Sequence, residues 1–367
     1  MKAKVIIIGN EILNGFTKDT NAHFLINNLL KNDITVDNVV FIKDEIFTII
    51  EELEKSFQVD FVFLTGGLGP TNDDVTTNAL NVFFKDKKPK LLNNSVGTAP
   101  GLWFSKAGIN YFAFPGVPAE MKIMAFQLFK TLFNKVDKKN SFLHVGTVGI
   151  RESKLLLVLK EFEKSLPKNC KMSYLPEIFI VKLRFHGINT EEEVFIEIKK
   201  KLNELLNTHI FSFNQISLEE SIINSLIKKN INISIAESCT GGQISKMITS
   251  VSGASKVLIG SVIVYSEYAK EKILDVSSEI IKKNGVVSEI VVKKMAISVM
   301  EKFKTNFGLA TTGFMGPLEK ENDRFAWVCL ASKTKTVTKK IYLKSTRQNN
   351  ILFTSRVILN ELRKEIL

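Results

Sequence analysis

The stretch IAESCTGG at residues 235–242 places Ser238, Cys239 and Thr240 in one turn beside Gly241 and Gly242, directly after a strand-like run. Any of the three can attack a carbonyl-like carbon. A helix starting at the glycines would aim backbone N–H groups at a phosphate or a developing oxyanion. Attack by a hydroxyl needs a base. The last histidine is His209, so that base must be a lysine, a tyrosine or a carboxylate. The stretch GSVIVYSEYAK at 260–270 puts Tyr265 near a strand end and Lys270 on the first turn of the next helix, both within reach of the same sheet rim. By elimination the preferred set is Ser238 with Lys270 and Tyr265, since desolvation can turn a lysine into a base. The competing reading is a plain capping turn with Ser238 or Thr240 as N-cap, Tyr265 half-buried in its strand and Lys270 solvated.

A second cluster, LTGGLGPTNDD at 64–74, follows the strand pattern DFVFL. Gly66, Gly67 and Gly69 allow close backbone approach to a phosphate or pterin. Asp73 and Asp74 offer the hard oxygen ligands that a divalent cation prefers. A simple tight turn is the alternative. Other metal chemistry is disfavoured. Cys170, Cys239 and Cys329 are far apart and odd in number, giving neither a disulfide framework nor a Cys-x-x-Cys pair. His23, His144, His186 and His209 form no i, i+4 pair that would suit zinc.

Three blocks must position these residues. Residues 1–139 alternate strand and helix patterns, from KVIIIGN to a helix beginning at Pro118, as expected for a doubly wound parallel sheet. In such sheets ligands bind beyond the carboxyl ends of the strands, where GNEILNG, TGGLGPTNDD and FPGVPAE all fall. Residues 140–213 read as a small α+β middle domain without a reactive cluster. Residues 214–367 return to strand–helix alternation and form a second doubly wound α/β domain.

The 367 residues carry a net charge of +12. Short lysine runs such as KDKKPK at 85–90 lack interleaved aromatics and read as solvated faces rather than a nucleic-acid stripe. No apolar run approaches the ~18 residues a spanning helix needs. The start MKAKVIIIGN is too short in apolar residues for a signal core, so a cytoplasmic chain without membrane association is expected.

The motifs IAESCTGG, GSVIVYSEYAK, NGVVSEIVVKKMA and TTGFMGP, in that order over about 80 residues, resemble the C-terminal domain of the CinA family (competence/damage-inducible protein). That domain is similar to stand-alone nicotinamide mononucleotide (NMN) deamidases. The resemblance implies hydrolysis of the NMN carboxamide to nicotinate mononucleotide and ammonia, with no cofactor. It puts the nucleophile on Ser238, its tyrosine on Tyr265 and its lysine on Lys270, the pair managing the proton. Substrate contacts are expected from Glu237, Thr240, Gly241, Gly242, Thr312 and Gly313, with Arg347 on the phosphate. Cys239 stands where the family also carries other residues. The chain departs from the family at LEKENDRFAWVC, with Phe325 and Ala326 in place of a Pro-Val-Gly pattern, and at Ser345 in place of glycine.

In the N-terminal block, GNEILNG, TNAHFL, the glycine loop and FPGVPAEMK resemble the N-terminal CinA domain, which is similar to molybdopterin-binding domains and linked to metal-dependent ADP-ribose pyrophosphatase activity. The carry-over places Glu11, Asn21, Gly66, Gly67, Gly69, Thr71, Asp73 and Glu120 at a nucleotide site, with Asp73 and Asp74 holding a divalent metal such as Mg. Asn10 replaces the usual threonine, and only KDKKPKLLNNSV fills a segment that is longer in the family. TVGIRES in the middle domain resembles the family's TVGIGES, with Arg151 for glycine. The expectation is a homodimeric pyridine-nucleotide salvage enzyme acting on NMN and, at the other site, on ADP-ribose. The alternatives are ADP-ribose cleavage alone beside a degenerate deamidase, or a non-catalytic scaffold binding molybdopterin or DNA.

Overall fold

The computed structural model describes residues 1–69, 75–85, 87–133, 140–316 and 324–367. They divide into two compact units, one of residues 1–141 with 187–190, the other of 142–186 with 191–367.

In the first unit the chain runs β1 (Lys2–Ile8), α1 (Asn10–Leu13), α2 (Asn21–Lys31), β2 (Thr35–Ile42), α3 (Ile46–Glu54), β3 (Phe61–Thr65), α4 (Thr76–Phe84), β4 (Lys90–Leu92), β5 (Gly101–Lys106), β6 (Ile109–Phe114) and α5 (Pro118–Phe133). Strands β1 and β3 are apolar on both faces, the signature of a parallel strand covered above and below. The sheet order is β2-β1-β3-β6-β5-β4. The first four strands are parallel, and β5 and β4 close the edge as an antiparallel pair. One face packs Leu25 and Leu29 of α2 against Met121 and Phe129 of α5, and the other packs Ile49 and Leu53 of α3 against Leu80 and Phe84 of α4. The edge pair was not read from the sequence, because GLWFSK lacks strict alternation and follows a loop-like, lysine-rich stretch.

The second unit opens with β7 (Asn140–Val148), α6 (Glu152–Lys164), β8 (Cys170–Glu177), β9 (Ile180–Ile188), α7 (Glu192–Leu206) and β10 (Ile210–Ser212), whose strands form a sheet of order β10-β7-β9-β8. It continues with α8 (Leu218–Lys229), β11 (Ile233–Glu237), α9 (Gln243–Thr249), β12 (Leu258–Ile263), α10 (Glu267–Leu274), α11 (Ser278–Asn284), α12 (Glu289–Phe303), β13 (Phe307–Gly313), β14 (Phe325–Ser332), β15 (Thr336–Tyr342) and α13 (Arg347–Glu365). Here the order is β12-β11-β13-β14-β15, parallel through β12, β11 and β13 and antiparallel at β14 and β15. Both α/β sheets are therefore mixed at one edge around a parallel centre.

Five helices of this sheet begin at a hydroxyl cap, one of them, α11, unread in the sequence. Ser217, Ser266, Ser277, Ser288 and Thr346 each accept a backbone N–H with the side-chain oxygen, capping α8, α10, α11, α12 and α13. Val292, Met295, Ala296 and Val299 of α12 are fully buried on one sheet face, while Val357, Ile358 and Leu362 of α13 join α8 on the other. Full burial of each Val, Ile, Leu or Met among them stabilises by roughly 1.5–3 kcal/mol.

Candidate active site

The nucleophile turn leaves the carboxyl end of β11, a strand buried along its whole length between β12 and β13. The next two strands of the chain, β12 and β13, lie on opposite sides of it, so the turn sits at a switch point where such sheets bind ligands. Gly241 and Gly242 both have positive φ, and a Cβ on Gly242 would lie 3.0 Å from Cδ1 of Ile263. Glycine is required there.

Lys270 reaches the same point from α10. Ser266 caps that helix, so Lys270 falls on its inner face beside Leu274. The lysine is 1% exposed. Its Nζ lies 2.9 Å from Ser238 Oγ, 3.0 Å from the Val264 carbonyl and 3.5 Å from the Tyr265 carbonyl. Burial pushes its pKa below the usual lysine value, only partly opposed by the neighbouring Cys239 and Glu267. An uncharged amine has two N–H groups and one lone pair. As placed, Nζ donates to Ser238 Oγ as well as to the two carbonyls. Once it loses a proton, its two N–H groups can stay on the carbonyls and its lone pair can take the Ser238 hydroxyl proton.

Cys239, next to the serine, is chemically quiet. Burial drives its thiol up to about 12, although a Thr311 hydrogen bond and the Lys270 charge pull the other way. A thiol in that state is not a nucleophile at neutral pH.

Ser238, Cys239, Tyr265, Lys270, Thr312, Gly313 and Arg347 line one cleft of about 260 Å³. Its remaining wall is Val286, Val287, Phe314, Met315 and Gly316. The sequence reading missed these five as site residues. Their signal was a Val-Val pair between Gly285 and the Ser288 cap, and Phe-Met directly after a buried strand. Arg347 opens α13 and spans the mouth, donating to the Gly316 carbonyl and to the Tyr265 hydroxyl, each at 2.9 Å.

Four expected substrate contacts lie elsewhere. Glu237 is fully buried, and its carboxylate accepts from the amides of Gly242, Ile244 and Ser245 and from the Ser245 hydroxyl at 2.6–3.1 Å. Thr240 is buried, its hydroxyl paired with Thr311 at 2.8 Å. Gly241 and Gly242 lie outside the cleft lining, and their amides are engaged by the Ser238 carbonyl and the Glu237 carboxylate. The Gly241 and Gly242 amides, expected with that of Thr240 as oxyanion donors, are thus taken up within the turn. Among the described residues, only the Cys239 and Thr240 amides of residues 238–242 are engaged by no other residue. Tyr265 corrects the expected proton relay. It is 62% exposed, and its hydroxyl bonds to Arg347 rather than to Lys270 or Ser238.

The first unit holds a second cleft of about 480 Å³ at the carboxyl ends of β1 and β3, lined by Glu11, Asn21, Gly66, Gly67, Gly69 and Glu120 among others. A Cβ on Gly66 would collide with the Ile8 carbonyl, which enforces glycine there. Asn21 is 5% exposed, and its Nδ2 donates to Thr65 Oγ1 at 3.0 Å and the Gly116 carbonyl at 2.8 Å. Among the described residues its buried Oδ1 has no hydrogen-bond partner. Glu120 accepts from Asn94 at 2.6 Å, and Asp44 and Thr98, unread in the sequence, also line the cleft. Thr71, Asp73 and Asp74 lie outside the described residues. Among those described, no group of three or more His, Cys, Asp or Glu side chains is placed to hold a metal.

Residues 215–366 match the family model "CinA C-terminal domain", and residues 4–135 match "Probable molybdopterin binding domain". A CinA-like protein of Cytophaga hutchinsonii is 34% identical over 411 aligned positions, 99% of this chain and 98% of the relative. One from Flavobacterium psychrophilum is 36% identical over 362, covering 86% of each chain. The crystal structure of competence/damage inducible protein CihA from Agrobacterium tumefaciens is 27% identical with a TM-score of 0.39, covering 40% of this chain and 92% of that one. With such likeness over nearly the whole of both sequences, the chain belongs to the CinA family, with a molybdopterin-binding-like domain preceding a CinA C-terminal domain.

Proposed function

We propose that the C-terminal domain is a serine amidohydrolase that hydrolyses the carboxamide of NMN to nicotinate mononucleotide and ammonia. The observation that carries this reading is the 2.9 Å contact between Ser238 Oγ and a buried, pKa-lowered Lys270. In the proposed sequence the Lys270 amine takes the serine proton as Oγ attacks the amide carbon. The amide of Cys239, a residue of the cleft lining, is the donor proposed for the oxyanion, contributing about 3 kcal/mol in the transition state. The Lys270 ammonium returns its proton to the leaving nitrogen, and ammonia departs. Water, deprotonated by the same amine, then attacks the acyl-enzyme; the Oγ–acyl bond breaks, the Lys270 ammonium returns its proton to Ser238 Oγ, and the carboxylate product is freed.

Val286, Val287, Phe314 and Met315 give the pyridine ring an apolar wall. Arg347 and Tyr265 at the mouth are the polar pair available to the 5′-phosphate. No metal enters this chemistry. Purified chain incubated with NMN and a chelator is expected to release ammonia and nicotinate mononucleotide in equal amounts. No release under any metal condition contradicts the reading.

A second reading concerns the N-terminal cleft, proposed to bind ADP-ribose and cleave it to AMP and ribose 5-phosphate. It is favoured by the unpartnered Asn21 Oδ1 in a cleft with glycine backbone and carboxylates. The described residues do not by themselves fit a metal, so no step is routed through one. AMP release that requires Mg and falls in Asn21→Ala supports this reading, and none with any divalent ion opposes it. We further propose a homodimeric assembly with small-molecule nucleotides as the partners, rather than nucleic acid or membrane. None of the helices described is long and apolar enough to cross a bilayer.

A further inference from the structure

We propose that Glu237 is a positioning residue for the Ser238–Lys270 pair, holding both partners from one strand end; this rests on the serine–lysine reading above. Glu237 is the last residue of β11, fixed between Ile263 and Thr311 in the sheet register. Its side chain reaches across residues 238–241 and gathers the amides of Gly242, Ile244 and Ser245 and the Ser245 hydroxyl. The front of the same turn is held by the Ser238 amide, which donates to the Thr311 carbonyl at 3.2 Å. The turn is therefore clamped at both ends, although two of its residues are glycines at positive φ that resist distortion weakly.

The other end of Glu237 acts on the lysine. Its carbonyl accepts from the Val264 amide at 2.8 Å, and the Val264 carbonyl in turn accepts from Lys270 Nζ. One residue thus sets the position of the nucleophile through its side chain and of the base through its backbone. It touches neither reacting atom, and it is buried away from the cleft.

Glu237→Gln keeps the shape but turns an –NH₂ toward amides that need an acceptor. Misplacement by about 1 Å costs on the order of 100-fold in rate. The expected result in the full chain is a kcat for NMN lower by about 100-fold with KM within about 2-fold, the pattern of lost transition-state alignment. Glu237→Asp, one methylene short, is expected to fall between the two. Ser245→Ala removes a single donor to the carboxylate and is expected to lower kcat by roughly 5-fold at constant KM. It keeps the test alive if Glu237→Gln does not fold.

p-Nitrophenyl acetate separates this proposal from the choice of substrate. Ser238 Oγ takes the acetyl group, p-nitrophenolate leaves, and the rate of that acylation should fall in the same order of variants. Wild-type protein inert to NMN would remove the substrate reading alone. Unchanged acylation or unchanged kcat in Glu237→Gln would overturn the positioning role. So would a raised KM at constant kcat, which would mark Glu237 as a substrate contact.

Discussion

At the scale of single residues, the site turns on which side chain gives up its proton. Ser238 has a buried amine at 2.9 Å, while Cys239 holds its proton up to about 12. Cys239→Ala is therefore expected to keep kcat within about 3-fold, and iodoacetamide at neutral pH to leave activity intact. Rapid alkylation with loss of turnover would reverse the assignment. Lys270 sets the pH dependence. Its folded pKa lies below the usual 10.5, so kcat/KM rises with pH as the ammonium loses its proton. Between the folded value and 10.5 the unfolded chain binds more protons than the folded one, so stability also rises with pH in that window. Lys270→Met should abolish turnover and flatten that stability slope, measured by denaturant titration across the window. The pairing of Ser238 with Lys270 was legible because the tail of the chain lacks histidine. The hydroxyl of Tyr265 was not, since its partner Arg347 is 82 residues away.

At the scale of elements, the strand ends and helix caps aim these groups. Ser266 accepts from the Ala269 amide at 3.1 Å and starts α10 one turn before Lys270. Ser266→Ala is expected to cost about 1 kcal/mol of stability and to lower kcat, as the lysine loses its fixed approach. Unchanged stability and rate would mean the loop, tied by Val264 to Glu237, suffices alone. Capping serines and buried strand runs are local signals, so most elements of both α/β sheets were legible. Glu237 was misread because its partners are the cap and first-turn amides of α9, beyond the intervening turn. A carboxylate beside a serine looks like a ligand contact until the amides of Gly242, Ile244 and Ser245 are seen around it. The antiparallel edge pairs were missed or read without direction, since pairing partners are a long-range property.

At the scale of the whole molecule, the middle sheet and the C-terminal sheet belong to one unit, although the sequence reads as separate blocks. Arg363 of α13 is a reason for this. It is 3% exposed and donates to the carbonyls of Thr208 and Ile210 and to Asn360 Oδ1. Arg356 does the same toward Ile178 and Glu177. Arg363→Ala leaves those carbonyls without a donor and is expected to cost about 3 kcal/mol. In denaturant this should appear as earlier unfolding of residues 142–213, followed by tyrosine or hydrogen-exchange signals. An unchanged midpoint would show that the two sheets hold together without it. Nothing in the local pattern of α13 announces this role, because an arginine in a helix reads as solvated until its carbonyl partners come from another sheet.

The central claim is that a serine activated by an uncharged lysine breaks an amide without metal or imidazole. Its most direct measurement is ammonia release from NMN, in the presence of chelator, by wild type, Ser238→Ala and Cys239→Ala. Release is expected from wild type and Cys239→Ala, with a loss of at least about 10⁴-fold in Ser238→Ala. Turnover that survives in Ser238→Ala, or disappears in Cys239→Ala, would contradict it.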